Sequence, residues 1–172
     1  MSDARGRLPV TKASQSSART PWRALDAERR VAILTRLFTE QKDARTLYAQ
    51  RLTQRGGGFR MATLLGWPVD KLAREVVRLN APTADDEADL LHALYVELEP
   101  DIQRDFLEAA GVKHEGAVID ESATAPYTDA ESVRRAAALV REKHGASAEH
   151  YLRTIARYNA DAWPDIATVI QR

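Results

Sequence analysis

Cysteine is absent from this chain, which removes disulfides and thiolate chemistry and fits an intracellular setting. No apolar run approaches the ~20 residues needed to cross a bilayer, so no spanning segment and no membrane partner are expected, and the expected location is the cytoplasm. The N-terminus carries Arg5, Arg7 and Lys12 with no apolar stretch behind them, which argues against a secretory signal. Net charge is missing too: 25 Lys and Arg balance 25 Asp and Glu. That zero conceals an asymmetry. Residues 1–80 hold 16 bases against 7 acids, and residues 81–172 hold 9 against 18. Positions 81–131 alone contain 14 acids with Arg104 and Lys113 as the only bases, whereas 132–172 is mildly basic again. Such segregation implies either a charged partner for one part or neutralisation of one part by another.

What is present is helical periodicity. With 44% apolar and 29% charged residues over 172 positions, the chain fits a single globular domain over 21–172. That domain divides into a basic lobe, 21–80, and an acidic and then mildly basic lobe, 83–172. Residues 1–20 offer only Leu8 and Val10 as larger apolar groups and read as a flexible basic tail. Thr20 and Pro21 then open a helix to about Phe38, with Ala27, Val31, Leu34 and Phe38 on one face. The next helix turns Ala44, Leu47, Tyr48 and Leu52 inward and Arg45, Arg51 and Arg55 outward, and Gly56-Gly57-Gly58 stops it. That run lacks the Lys-Ser/Thr of a P-loop and follows no strand, so phosphate cradling is excluded.

Further helices are expected at Phe59–Leu65 and Val69–Asn80, then behind Thr83 and Asp86, which have capping-box spacing. Another begins at Pro100 and closes at Gly111. Residues 111–127 form the one non-helical stretch, with Val118 and Ile119 extended but without a visible pairing partner. Thr128 and Glu131 suggest a second capping box, Ser147 the cap of a following helix, and Trp163-Pro164 the start of the last. The Trp-Pro pair also occurs at 67–68, each time read as a ring packed over a helix start. The expectation is an all-α fold of eight or nine short helices, compact and orthogonal or bundle-like, with no significant sheet.

The strongest functional motif is 59–79, FRMATLLGWPVDKLAREVVRL, which resembles a helix-turn-helix. Ala62 is small, where the two helices would cross, and Gly66 stands where the turn needs a left-handed residue. With Leu72, Val76 and Leu79 inward, Lys71, Arg74 and Arg78 point outward as candidate nucleic-acid contacts. Two packed helices with a solvated basic face would give the same pattern. The acids of 81–131 form no EF-hand spacing and no E-x-x-H pair, so no metal site is expected; complementarity within the molecule, across a dimer or to a basic partner suits them better.

His144 and His150 flank a tight turn and are candidates for proximity, and His114-Glu115 is the one pair worth testing for acid–base work. His92 flanks an apolar face and reads as packed or half-exposed. No nucleophile accompanies any of them, and no cofactor motif is visible. The leading expectation is therefore a non-enzymatic helical module that binds a protein partner or itself through charged surfaces. DNA binding through Lys71, Arg74 and Arg78 is the alternative, and an enzyme around 111–127 with His144 and His150 is the third reading.

Overall fold

The computed structural model describes residues 20–55, 58–120, 129–163 and 165–170. The basic tail up to residue 19, Gly56 and Gly57, residues 121–128 of the long loop (Thr128 among them) and Pro164 lie outside the described residues. The chain is all-α as expected. Its order is α1 (Pro21–Ala24), α2 (Ala27–Glu40), α3 (Lys42–Gln54), α4 (Met61–Leu65), α5 (Val69–Arg78) and α6 (Ala84–Ala93). Then come a π-helical turn (Leu94–Leu98), α7 (Pro100–Ala110), the hairpin β1 (His114–Glu115) and β2 (Val118–Ile119), α8 (Ala130–His144), α9 (Ala146–Tyr158) and α10 (Ile166–Ile170). Among the described residues no helix is long and apolar enough to cross a membrane.

Local chemistry explains the boundaries, including those the periodicity misplaced. The expected first helix is two. Leu25 turns extended and buries its side chain, and the Asp26 carboxylate accepts from the Arg29 amide at 2.7 Å to start α2. At Thr83 the capping box forms as expected: the Asp86 amide reaches Thr83 Oγ1 at 3.4 Å, and the Thr83 amide reaches the Asp86 carboxylate at 2.6 Å. Ahead of α8 the cap is Asp129, not Thr128; its carboxylate accepts from the Ser132 amide at 2.9 Å. Ser147 caps nothing. Gly145, at φ +55°, turns the chain directly from α8 into α9, leaving Ser147 inside the helix. Gly111 closes α7 in the left-handed conformation, φ +73°, with the Val112 amide returning to the Leu107 carbonyl at 2.9 Å.

The extended pair Val118–Ile119 does have a partner. It pairs antiparallel with His114–Glu115 across a tight turn at Gly116. Only two residues per strand take part, too few for a readable alternation, and a Lys113–Asp120 ion pair of 2.9 Å closes the base. The π-helical turn inserts its extra residue just before Pro100; the Glu99 amide bonds the Leu94 carbonyl at 2.7 Å, five residues back. Proline has no amide to continue the ladder, so the chain restarts as α7.

One apolar core runs from Trp22 to Val169 and draws on every α-helix among the described residues. Trp22, Phe38, Leu52, Leu72, Leu91, Phe106, Tyr151 and Trp163 are all buried in it. Phe106 is the aromatic hub, edge-on to Tyr151 at 5.5 Å and to Trp163 at 5.1 Å. Ala27 and Leu47, both expected inward, are exposed. The inward face of α3 is centred on Tyr48, Ala49 and Leu52, and Leu47 lies to one side of it at 43% exposure.

Candidate functional site

The arginines of the basic half decide what surface is left for function. Arg29 of α2 binds Glu99 through both carboxylate oxygens. Arg51 of α3 pairs with Asp86, and Arg23 of α1 lies 3.4 Å from Glu87, a carboxylate only 2% exposed. Basic helices thus grip the acidic helix α6 and the turn after it, so neutralisation is in good part internal. Arg45 of α3 and Arg55 at its C-terminal cap, both expected outward, also turn to the protein. Arg45 donates to the carbonyls of Leu65 and Trp67 at 2.7 and 2.8 Å, and Arg55 to those of Leu79 and Asn80 at 3.1 and 2.5 Å. These carbonyls close α4 and α5, where helix ends leave acceptors unfilled and favour a cation. The bond to Arg51 and those to Thr83 outweigh burial and hold the Asp86 carboxyl below its ordinary range.

The helix-turn-helix elements take a different geometry from the one expected. Gly66 is right-handed, φ −79° and ψ −11°, and Ala62 is exposed instead of lying in a crossing. The Gly66 amide simply ends α4 on the Ala62 carbonyl, and Pro68, φ −54°, opens α5. Lys71, Arg74 and Arg78 are all exposed along α5. Two of them carry a local counter-ion: Arg74 with Asp70 at 3.1 Å, and Arg78 with Glu75, its Nε donating at 2.8 Å. That bond raises the Arg78 pKa and lowers that of Glu75. Lys71 stacks its ammonium over the Trp67 ring, 4.2 Å from the centroid.

The histidines disperse. His144 Nε2 bonds Asp105 Oδ2 at 2.6 Å, beside Lys143 at 2.7 Å. His150 bonds Tyr95 and the Pro21 carbonyl instead, so the pair that the turn suggested shares no partner. His114 Nδ1 lies 2.8 Å from the Gly116 carbonyl of its own hairpin turn, and His92 is exposed at the end of α6. Among the described residues no three His, Asp or Glu side chains are placed to hold a metal ion.

Subtracting the paired charges leaves an acidic face. Asp85 and Asp89 of α6 and Glu97 of the π-helical turn are exposed, with no ion-pair partner among the described residues. Asp89 and Glu97 edge a cleft of about 330 Å³ between α3 and α6, floored by Ala44, Leu47 and Tyr48, with His92 on the same rim. Burial, reinforced by the nearby Asp86 charge, raises the Tyr48 hydroxyl well above its ordinary pKa, keeping it neutral. A second groove, about 810 Å³, lies between α2 and α5 over Val31, Ala32 and Thr35. Its arginines are already engaged, Arg36 with Glu40 and Arg74 with Asp70. Periodicity missed the α3–α6 cleft because it placed Leu47 inside and the α3 arginines outside. No family model, no curated protein and no solved structure matches this chain.

Proposed function

We propose that this protein is a non-enzymatic interaction module whose docking surface is the α3–α6 cleft, and that its partner is a protein presenting a basic segment with an apolar anchor. One observation carries the reading: Leu47 is 43% exposed in the cleft edged by Asp89 and Glu97, which keep no counter-ion among the described residues while the arginines of α3 are engaged within the molecule. An apolar anchor supplies affinity by leaving water, and the unpaired carboxylates supply orientation and association rate.

The test is titration of a labelled Lys- and Leu-containing amphipathic peptide at two salt concentrations, beside a scrambled peptide of the same composition. The expected result is binding of the patterned peptide alone, weakened about tenfold by the paired change Asp89→Asn with Glu97→Gln and by Leu47→Ser. Equal binding by wild type and both variants overturns the reading. A second reading, DNA binding, is favoured by one feature, the exposure of Lys71, Arg74 and Arg78 on a single helix. Duplex binding at low salt that Arg74→Gln with Arg78→Gln abolishes would put it first. With both arginines carrying local counter-ions, the expected result is no duplex shift. A molar-mass determination in the same buffers separates self-association from either.

A further inference from the structure

α9 and its cap set Tyr151, Ile155 and Asn159 at i, i+4 and i+8, so they share one face. The Trp163 amide returns to the Asn159 carbonyl at 3.1 Å, which folds the indole back beside that face. α7 contributes Gln103 and Leu107, again four apart, and the hairpin contributes Ile119. Between them lies a cleft of about 310 Å³, with His92 and Asn159 on its exposed rim. Among the described residues it shares only His92 with the α3–α6 cleft.

The lining limits what can enter. None of the described residues around the cleft is Lys, Arg, Asp or Glu, so a charged ligand would lose water there without gaining a counter-ion. The walls are apolar instead, with Leu107, Ile155 and Trp163 all buried. One polar group stands among them unused. Tyr151 is 2% exposed, its ring edge-on to Tyr95 at 4.9 Å and to Phe106 at 5.5 Å, yet its hydroxyl bonds no described residue. Among the described residues Arg45 Nε is the one side-chain polar atom both sealed from solvent and unpartnered. The Tyr151 hydroxyl therefore still opens to space, and the space its residue lines is this cleft. Burial raises its pKa, so the group stays protonated and able to donate.

Gln103 adds a second polar point. Its side-chain amide donates to the Ala117 carbonyl, which only accepts, so the nitrogen faces the hairpin and the amide oxygen is left to accept. We propose that this cleft binds a small uncharged aromatic molecule bearing a hydroxyl, its rings against Trp163 and Ile155 and its hydroxyl at Tyr151. The apolar body gains by leaving water, and the Trp163 and Tyr151 rings favour an aromatic one through edge and offset contacts. The ligand hydroxyl makes the bond that Tyr151 otherwise leaves unmade. The volume stands at the small end of the ~300–1,000 Å³ of ligand clefts, which suits a compound of one or two rings. This site is independent of the docking proposed for the α3–α6 cleft.

The test titrates 2-naphthol, naphthalene and 2-naphthalenesulfonate into the full chain at pH 7 and follows the indole N–H signals of Trp67 and Trp163 by NMR. The expected result is a saturable shift of Trp163 with 2-naphthol while Trp67 stays in place. Naphthalene, without the hydroxyl, should bind about tenfold more weakly, and Tyr151→Phe should erase that preference. The sulfonate, similar in shape but charged, should leave Trp163 unmoved at the same concentrations. Leu47→Ser, in the other cleft, should change none of this. A Trp163 signal constant up to the solubility limit of 2-naphthol overturns the proposal, as does sulfonate binding of equal strength. So does a preference for 2-naphthol that survives in Tyr151→Phe, or binding that Leu47→Ser weakens, which would place the ligand in the α3–α6 cleft. Should Tyr151→Phe fail to fold, the wild-type comparison decides: equal affinity for naphthalene and 2-naphthol overturns the proposal, and the tenfold preference supports it.

Discussion

At the scale of single residues, Asp105 shows how a charge becomes part of the scaffold. It sits on the inner face of α7, 7% exposed, with Lys143 Nζ at 2.7 Å and His144 Nε2 at 2.6 Å, both from the last turn of α8. Burial alone would raise its pKa; the hydrogen bonds from Lys143 and His144, with the Lys143 charge, outweigh that and leave the carboxyl below its ordinary value. Its contribution is therefore present above about pH 4 and is lost as pH falls through the lower folded value. Asp105→Asn should cost about 1–3 kcal/mol at pH 7, read as a lower urea midpoint with an unchanged slope. That difference should shrink at pH 3.5. Sequence reasoning singled out His144 but tied it to His150, because only neighbours in the chain are visible to it. The true partner lies 39 positions away.

At the scale of elements, two of the glycines that end helices, Gly111 and Gly66, separate a needed conformation from an incidental one. Gly111 holds φ +73°, and a Cβ there meets no atom within 4 Å, so the cost of Gly111→Ala is backbone strain alone, about 1–2 kcal/mol. Gly66 is right-handed, and its added Cβ would come no closer than 3.4 Å to the Ala62 carbonyl. Gly66→Ala should therefore stay within about 0.5 kcal/mol of wild type. Thermal unfolding of the two variants checks the order, and a costly Gly66→Ala would revive the left-handed turn of a helix-turn-helix. Helix ends were legible at Thr83, whose own side chain makes the cap, and at Gly111, a left-handed glycine. They were misjudged where the sequence offers two neighbouring residues of capping type, with Asp129 making the cap of α8, and where a short element broke a long periodic run, as at Leu25.

At the scale of the whole molecule, the segregated charges act largely as a clamp. Arg23, Arg29 and Arg51 reach across to Glu87, Glu99 and Asp86, joining the basic part of the chain to the acidic part above a common core. Each such pair, partly open to solvent, is worth little alone, about 0.5–1 kcal/mol. Arg29→Glu or Glu99→Arg should each lower the melting temperature, and the double exchange should recover most of the loss. A double-mutant cycle with coupling near zero would show that the pair contributes nothing. Unfolding should report one cooperative transition by tryptophan fluorescence and by helix signal alike, since the core is continuous across both parts.

The sequence by itself determined the helical class, the order of most helices and several of their caps. Those depend on a 3.6-residue periodicity and on hydrogen bonds that span three or four positions. Only the tertiary structure decided which charges remain for a partner. Arg29 and Glu99 stand 70 residues apart, and whether an arginine meets a carboxylate, a helix-end carbonyl or water depends on how helices pack, not on local pattern. The same packing set His150 between Tyr95 and Pro21 and left Leu47 in an acid-edged cleft, because burial is a property of the assembled surface and no single helix carries it.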